Sequence, residues 1–158
     1  MSTRPDTRAL EALYRERYED FLRIARSITR DDASATDAVQ EAFARAIRSL
    51  HTYRGESELD GWVWGIVVNT ARSARPATPL TLVADEPATA EAEADDGATF
   101  RRWVSDLPER QRLVVFLRYW ADLDYRSIAE ALGIEVGTVS ATLNAAHAAL
   151  RRSLKEVS

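Results

Sequence analysis

The sequence contains no cysteine, only two histidines, and few glycines and prolines. Without cysteine the chain cannot form a disulfide framework, a thiolate metal site or a thiol nucleophile, which is typical of a reducing compartment. No stretch approaches the about 18 consecutive apolar residues of a membrane-spanning helix, and the charged N-terminus lacks the apolar segment of a secretory signal. These absences predict a soluble, cytoplasmic protein with no metal, no cofactor and no membrane segment of its own.

The chain also lacks the patterns of an enzyme. It has no glycine-rich phosphate loop, no metal-ligand spacing and no nucleophile paired with a histidine base. The adjacent carboxylates Asp31 and Asp32, like Asp95 and Asp96, lie in loops and are interpreted as helix caps or solvated charge. We therefore expect no catalytic residue.

Charge is unevenly distributed along the 158 residues, whose net charge is −4. Residues 1–75 carry 12 basic and 12 acidic groups, residues 76–99 carry 6 acidic groups and no basic one, and residues 100–158 carry 9 basic and 7 acidic groups. The middle segment also has three prolines and no helical apolar spacing. It is predicted to be a flexible acidic linker between two modules.

Apolar residues recur at helical spacing on both sides of this linker, which predicts an all-α fold of two small helical domains. In the first, three helices are expected at about residues 7–29, 35–50 and 59–75. "WGIVV" alone could pass for a strand, but the helical period continues after it. The predicted core positions of the second and third helices are Val39, Phe43, Ala46, Ile47, Leu50, Leu59, Trp62, Val63, Ile66, Val67 and Thr70.

The second domain is predicted to contain a helix-turn-helix. A helix beginning at Pro108 precedes Tyr125–Leu132, a turn at Gly133, and a last helix over Val136–Leu154. The expected core comprises Leu117, Leu123, Ile128, Leu132, Val139, Leu143 and Leu150.

Several short motifs occur in a fixed order: "DAVQEAF" from Asp37, "YRGES" from Tyr53, "VNTAR" from Val68, "LPER" from Leu107 and "VGTV" from Val136. This order and spacing resemble the extracytoplasmic-function (ECF) sigma factors of bacterial RNA polymerase, over roughly residues 8–75 and 100–153. The resemblance implies a promoter-melting, region 2-like domain in residues 1–75, a linker in 76–99 and a region 4-like helix-turn-helix domain in 100–158. It implies core RNA polymerase, promoter DNA and an anti-sigma factor as partners.

By position, the resemblance assigns Asp37, Gln40 and Glu41 to binding of the clamp helices of core polymerase. Short carboxylate and amide groups on a rigid helix can pair with arginines of a partner helix. From the residues alone, a solvated helix face is the alternative.

The resemblance also assigns residues to the unwound −10 element. Aromatic rings can stack on exposed bases, amides can read base edges and arginines can contact phosphates. The expected set is Tyr53, Trp62 and Trp64 for stacking, Asn69 for a base edge, and Arg54, Arg72 and Arg75 for phosphates. Two alternatives to these roles stay open: Trp62 could belong to the hydrophobic core, and Arg54 could cap the loop. Gly65 stands where the family usually has an arginine.

The resemblance also implies that the last helix, from Val136 to Leu150, enters the major groove at the −35 element and that its domain faces the polymerase flap. The expected −35 residues are Arg126, Thr138, Ser140, Thr142, Asn144 and His147. Basic residues usual in the family are missing from this helix, and the remaining ones flank it: Arg110, Arg112, Arg118, Arg126, Arg151, Arg152 and Lys155. Because each lost phosphate contact weakens binding, we predict weak or altered −35 recognition.

Two other functions remain open at this point. A sigma-like adaptor or antagonist would bind polymerase without reading −35 DNA, and the alanine-rich last helix would then pack against a protein. A generic helix-turn-helix regulator would explain only the C-terminal third of the chain.

Overall fold

The computed structural model describes residues 5–55, 58–75 and 102–157. The predicted linker at residues 76–99 lies outside the described residues. Within the described ranges all regular structure is helical, as predicted. The helices are α1 (Thr7–Thr29), α2 (Asp32–Ser49), a 3-10 turn (Leu50–Thr52), α3 (Leu59–Ser73), α4 (Glu109–Tyr119), α5 (Tyr125–Leu132) and α6 (Val136–Val157).

Aspartate side chains cap α1, α2 and α5 at their N-termini. The Asp31 carboxylate accepts a 2.8 Å hydrogen bond from the Ser34 backbone N–H, and this cap starts α2 earlier than apolar spacing alone predicts. The Asp124 carboxylate accepts an equivalent 2.8 Å bond from Ser127 at the start of α5. Gly133 ends α5 in the left-handed conformation (φ 66°), which produces the tight turn before α6.

Helices α1, α2 and α3 pack against each other through the apolar stripes that the sequence predicts. Ile47 is the exception: its side chain is 53% exposed, so its predicted place in the core is wrong. Ile47 follows Gln40 by two helical turns and therefore lies on the edge of the polar face of α2.

Helices on either side of the predicted linker share one hydrophobic core. Helix α3 packs on α5, and α1 contacts α4. The fully buried ring of Trp64 joins the two halves, since its centroid lies 4.2 Å from that of Phe21 in α1 and 5.8 Å from that of Phe116 in α4. All predicted core residues of the second domain are buried.

None of the helices in the described ranges combines the length and the apolar character needed to cross a membrane.

Candidate functional site

The first predicted surface lies on α2. Asp37, Gln40 and Glu41 are all exposed. Gln40 and Glu41 are adjacent and lie one helical turn after Asp37, while Val39 and Phe43 anchor the opposite face of the helix in the core. The core thus fixes the helix and leaves the three polar side chains exposed to solvent. These three residues are called the α2 surface below.

Glu41 is held in place by two arginines of its own helix. One carboxylate oxygen, Oε1, accepts from Arg45 Nε at 3.1 Å and from Arg48 Nη2 at 3.3 Å. The hydrogen bond from Arg45 is the main cause that lowers the pKa of Glu41, so this carboxyl is ionised at neutral pH. A partner arginine would have to share or displace these two contacts.

The second predicted surface combines the loop after α2 with one face of α3. The ring of Tyr53 lies 5.4 Å from that of Trp62, and both side chains are half-buried. Asn69 is exposed two helical turns beyond Trp62, on the same face of α3. The structure therefore places the aromatic pair and the exposed amide of Asn69 along the same side of α3, with the amide two helical turns further on.

Trp64 does not belong to this surface, and its predicted stacking on bases is wrong. Its side chain has no solvent exposure because α3 is covered by α1 on one side and by the C-terminal helices on the other. Its indole N–H has no hydrogen-bond partner among the described residues. The helical spacing of "WVW" could not distinguish a core tryptophan from an exposed one.

The arginines predicted to contact −10 phosphates are placed differently from one another. Arg54 is exposed in the loop and Arg72 is half-exposed on α3. Arg75 is ion-paired, with Nη2 lying 3.0 Å from Glu109 Oε1 at the start of α4. Glu109 is a residue that sequence reasoning did not connect with this site.

The predicted −35 surface lies on α6 and at the start of α5. Asn144 and Arg126 are exposed, whereas Thr138, Ser140 and Thr142 are half-buried. The His147 ring is half-buried and its Nε2 lies 2.8 Å from the Tyr119 hydroxyl oxygen. Ala141 and Ala145 are exposed between these polar side chains, so the outward face is small and carries no positive charge up to Arg151.

Arg112, one of the basic residues that flank the last helix in the sequence, is not exposed to a DNA partner. Its guanidinium is buried and donates to the backbone carbonyls of Leu107 (3.1 Å) and Ser27 (3.0 Å). Burial lowers its pKa from the ordinary value, although an arginine remains charged near neutrality. It is a structural cation that connects α4 to the end of α1.

Comparison with known proteins decides the family. Residues 13–76 match Sigma-70 region 2 and residues 99–155 match Sigma-70 region 4. The RNA polymerase sigma-H factor of Pseudomonas aeruginosa is 30% identical over 96% of this chain and 89% of its own length. The ECF RNA polymerase sigma-E factor of Haemophilus influenzae is 31% identical over 73% of this chain and 71% of its own length.

The chain belongs to the ECF sigma factors of bacterial RNA polymerase.

The fold of this sigma factor is similar to that of the sigma factor RpoE from Bartonella quintana, solved in complex with the anti-sigma factor NepR. The TM-score is 0.68 at 19% sequence identity, covering 92% of this chain and 98% of that one. The similarity shows the all-helical fold. The sigma-like adaptor and the generic helix-turn-helix regulator are not favoured, because both halves of the chain match sigma factor regions.

No cluster of three or more histidine, cysteine or acidic residues able to hold a metal ion occurs in the ranges that the structure describes.

Proposed function

We propose that this ECF sigma factor acts as a promoter-specificity subunit with two working modules, corresponding to residues 1–75 and 100–158. It binds core polymerase through the α2 surface, captures the −10 element on the face formed by Tyr53, Trp62 and Asn69, and presents α6 to the −35 element. It performs no covalent chemistry itself and acts in the cytoplasm, where core polymerase is located. Two observations carry the proposal: the exposure of the α2 surface, and the partly exposed pair of Tyr53 and Trp62 rings 5.4 Å apart.

The α2 surface fits a cationic partner helix. Asp37 and Glu41 offer carboxylates one helical turn apart and Gln40 offers an amide, all on a helix whose other face is buried. Because the backbone is already ordered, the conformational entropy that this chain loses on binding comes mainly from three side chains. Charge-assisted hydrogen bonds to arginines would give orientation as well as affinity. We assign this surface to the clamp helices of core polymerase.

The −10 face supports strand opening by capture. Unpairing DNA costs stacking energy, and a base that stacks on an aromatic ring recovers about 1–3 kcal/mol. Trp62 and Tyr53 provide the ring surfaces, Asn69 provides a donor and an acceptor for a base edge, and Arg54 and Arg72 supply positive charge. Arg75 joins them when its ion pair with Glu109 opens.

The −35 interaction is proposed to be weak and mainly non-ionic. Asn144 can donate to and accept from a base edge, and exposed Ala141 or Ala145 can contact a thymine methyl group. Arg126 is exposed on α5 and Arg151 is exposed on α6, but α6 carries no lysine or arginine before Arg151. Promoter choice would then depend more on the −10 element than on the −35 element.

An anti-sigma factor is proposed as a further partner. The support is the similarity in fold to RpoE of Bartonella quintana, which was solved with the anti-sigma factor NepR.

Binding of core polymerase tests the proposal directly. The affinity of fluorescently labelled chain for core polymerase would be measured for the wild type and for the variant Asp37→Ala/Gln40→Ala/Glu41→Ala. We expect the variant to bind at least about tenfold more weakly, equivalent to about 1.4 kcal/mol.

The matched control is Glu16→Ala/Glu19→Ala, which removes two exposed carboxylates from α1 instead of α2. It should bind as the wild type does. Equal losses in both variants would show that net charge, rather than the α2 surface, governs binding.

A further inference from the structure

The hydroxyl group of Tyr119 is hydrogen-bonded to the helix that is predicted to meet the −35 element. Tyr119 is the last residue of α4 and is 53% exposed. Its hydroxyl oxygen lies 2.8 Å from Nε2 of His147 on α6, and the two ring centroids are 5.9 Å apart. Because α4 and α6 pack against each other, the core fixes the two backbones that carry this contact. Sequence reasoning identified His147 but not Tyr119.

The hydrogen bond between Tyr119 and His147 contributes little to the fold. Tyr119 is not part of the hydrophobic core, and its hydroxyl meets His147 at the surface. Water competes there for the same donors and acceptors, so the bond gains little over solvation of the two groups. Stability therefore does not explain why an exposed tyrosine lies against the predicted −35 helix.

His147 is placed for a contact with the DNA backbone. In a helix-turn-helix, the N-terminal residues of the second helix contact the bases. His147 shares one face of α6 with Ser140 and Asn144, but it lies about three turns after Val136, or about 16 Å along the helix axis. The major groove is only about 12 Å wide. This end of the face therefore meets the phosphates at the edge of the groove.

Within the described residues, no carboxylate pairs with His147, whose side-chain partner is Tyr119. On α6 itself the nearest charged residue is Arg151, one turn later, and Glu156 lies more than two turns later. On α4, Arg118 precedes Tyr119, but its guanidinium donates to a backbone carbonyl and lies over the ring of Tyr125. No neighbouring anion is therefore in place to neutralise a protonated His147.

The acidic groups of the two helices packed against α6, and of the cap of α5, lie at other contacts. They are Glu109, paired with Arg75, Asp124, bonded to Ser127, and Glu130, whose charge acts on Tyr53. A negative charge that stabilises a protonated His147 would thus have to come from a partner molecule.

Protonation of His147 fixes the direction of its hydrogen bond to Tyr119. In the neutral imidazole, Nε2 accepts from the Tyr119 hydroxyl in one tautomer and donates to it in the other. Once His147 takes a proton from solvent, both ring nitrogens carry hydrogen, so Nε2 donates to the Tyr119 oxygen. The hydroxyl hydrogen can then be donated to a phosphate oxygen, while the imidazolium supplies positive charge.

We propose that Tyr119 and His147 together form a proton-dependent contact with one backbone phosphate of the −35 element, in which the hydroxyl donates to the phosphate and protonated His147 supplies the charge that α6 lacks before Arg151. The contact deepens the −35 interaction proposed above and rests on it. Histidine changes its charge between about pH 5 and pH 8, so DNA binding strengthens as the pH falls through this range.

The affinity of the full chain for DNA at two pH values tests the contact. A phosphate contact does not depend on base sequence, so the probe is a fluorescent duplex of random sequence, about 30 base pairs long, in about 50 mM NaCl. Between about pH 7.5 and pH 5.5, the wild-type affinity should rise about threefold to fivefold more than that of His147→Gln, which takes up no proton. Fluorescence anisotropy measures both affinities.

Salt shows whether this additional gain comes from charge. One phosphate contact releases about one counterion, so raising NaCl from about 50 mM to about 200 mM should reduce the gain by about threefold. His147→Lys carries its charge at both pH values, so it should bind at pH 7.5 as tightly as the wild type does at pH 5.5 and should lack the additional gain.

Tyr119→Phe separates the hydroxyl from the ring. It keeps the aromatic surface and removes only the hydrogen-bonding group, so the additional gain at low pH should fall to about half. Far-UV circular dichroism should show unchanged helix content in this variant and in His147→Gln, because both side chains lie outside the core. A full gain in Tyr119→Phe would overturn the role of Tyr119.

His51→Gln is the matched control. It removes the other histidine of the chain, which lies in the 3-10 turn after α2, and should keep the full gain at low pH. Equal pH responses of the wild type and His147→Gln would overturn the proposal.

Transcription with core polymerase separates this proposal from the function on which it rests. If the chain directs no transcript at either pH while duplex binding behaves as described, the assigned function fails and the phosphate contact stands. If the chain directs transcription but its duplex binding has no response that depends on His147, the function stands and the proposal fails.

Discussion

The Arg75 guanidinium lies 3.0 Å from the Glu109 carboxylate and so joins the end of α3 to the start of α4 across the predicted linker. The side chains are 41% and 31% exposed, so solvent screens the pair and its contribution is small. Its importance is that it connects a predicted DNA contact to the other half of the protein.

Replacing Glu109 with glutamine tests this ion pair. We expect Glu109→Gln to lower the free energy of unfolding by about 0.2–1 kcal/mol at low salt, because the pair is partly exposed. In about 1 M NaCl the difference from the wild type should vanish, since the Debye length falls to about 3 Å. Urea unfolding at the two salt concentrations measures both values. A difference that persists at high salt would assign the effect to packing instead of charge.

The two tryptophans of α3 should have separate roles. Trp64→Ala should lower the free energy of unfolding by about 3–5 kcal/mol, because it removes a fully buried ring from between Phe21 and Phe116. Trp62→Ala should cost clearly less stability, since that ring is half-exposed, but should reduce promoter opening. Urea unfolding and fluorescence of 2-aminopurine placed in the −10 element measure the two effects. Equal losses of stability in both variants would contradict this division.

The cap of α5 predicts a dependence of stability on pH. Hydrogen bonds from Ser127 lower the pKa of Asp124 below its ordinary value of 3.8. A carboxyl with a lower pKa in the folded state stabilises the fold above the unfolded value, and this contribution is lost as pH falls through the folded value. Asp124→Asn keeps a capping side chain without the ionisation.

The wild type should therefore lose stability relative to Asp124→Asn between about pH 5 and pH 2, and urea unfolding across that range measures the difference. A constant difference between the two proteins across this range would show that the cap does not depend on the charge.

Charge can be restored to the −35 surface. Ala145 is exposed on α6, and Ala145→Lys should steepen the dependence of log affinity on log salt concentration by about one unit, because one more phosphate contact releases one more counterion. Binding of the polymerase holoenzyme to a promoter duplex, titrated with salt, measures the slope. The control Ala12→Lys adds the same charge on α1 and should leave the slope unchanged. An unchanged slope for Ala145→Lys would show that this face of α6 does not contact DNA.

Helical periodicity was sufficient for the fold of each half but not for how the halves meet. Val39 and Phe43 of α2 and the core residues from Leu117 to Leu150 are buried as predicted, because each apolar pattern is local to one helix. Trp64 was predicted to stack on bases and is buried instead, because its contact with Phe116 of α4 joins residues that are far apart in the sequence. Arg112, one of the basic residues near the last helix in the sequence, is likewise held by the Ser27 carbonyl of α1. The sequence alone has no periodic signal for such a contact.

The glycines of α3 illustrate the same limit. Gly65 is read from the sequence as the loss of a family arginine, which puts a backbone contact in doubt. In the structure it lies against Ala131, so the missing side chain makes room for α5. The predicted α2 surface was simpler to place, because one buried stripe through Val39 and Phe43 fixes which side of that helix is exposed.

The most direct test of the central claim is abortive-initiation transcription by core polymerase on a genomic fragment library, with and without this protein. The account predicts new short transcripts whose start sites share a −10 sequence and a weaker −35 sequence, and which disappear with Asp37→Ala/Gln40→Ala/Glu41→Ala. Tight binding of the wild type to core polymerase with no transcript from any fragment would contradict it.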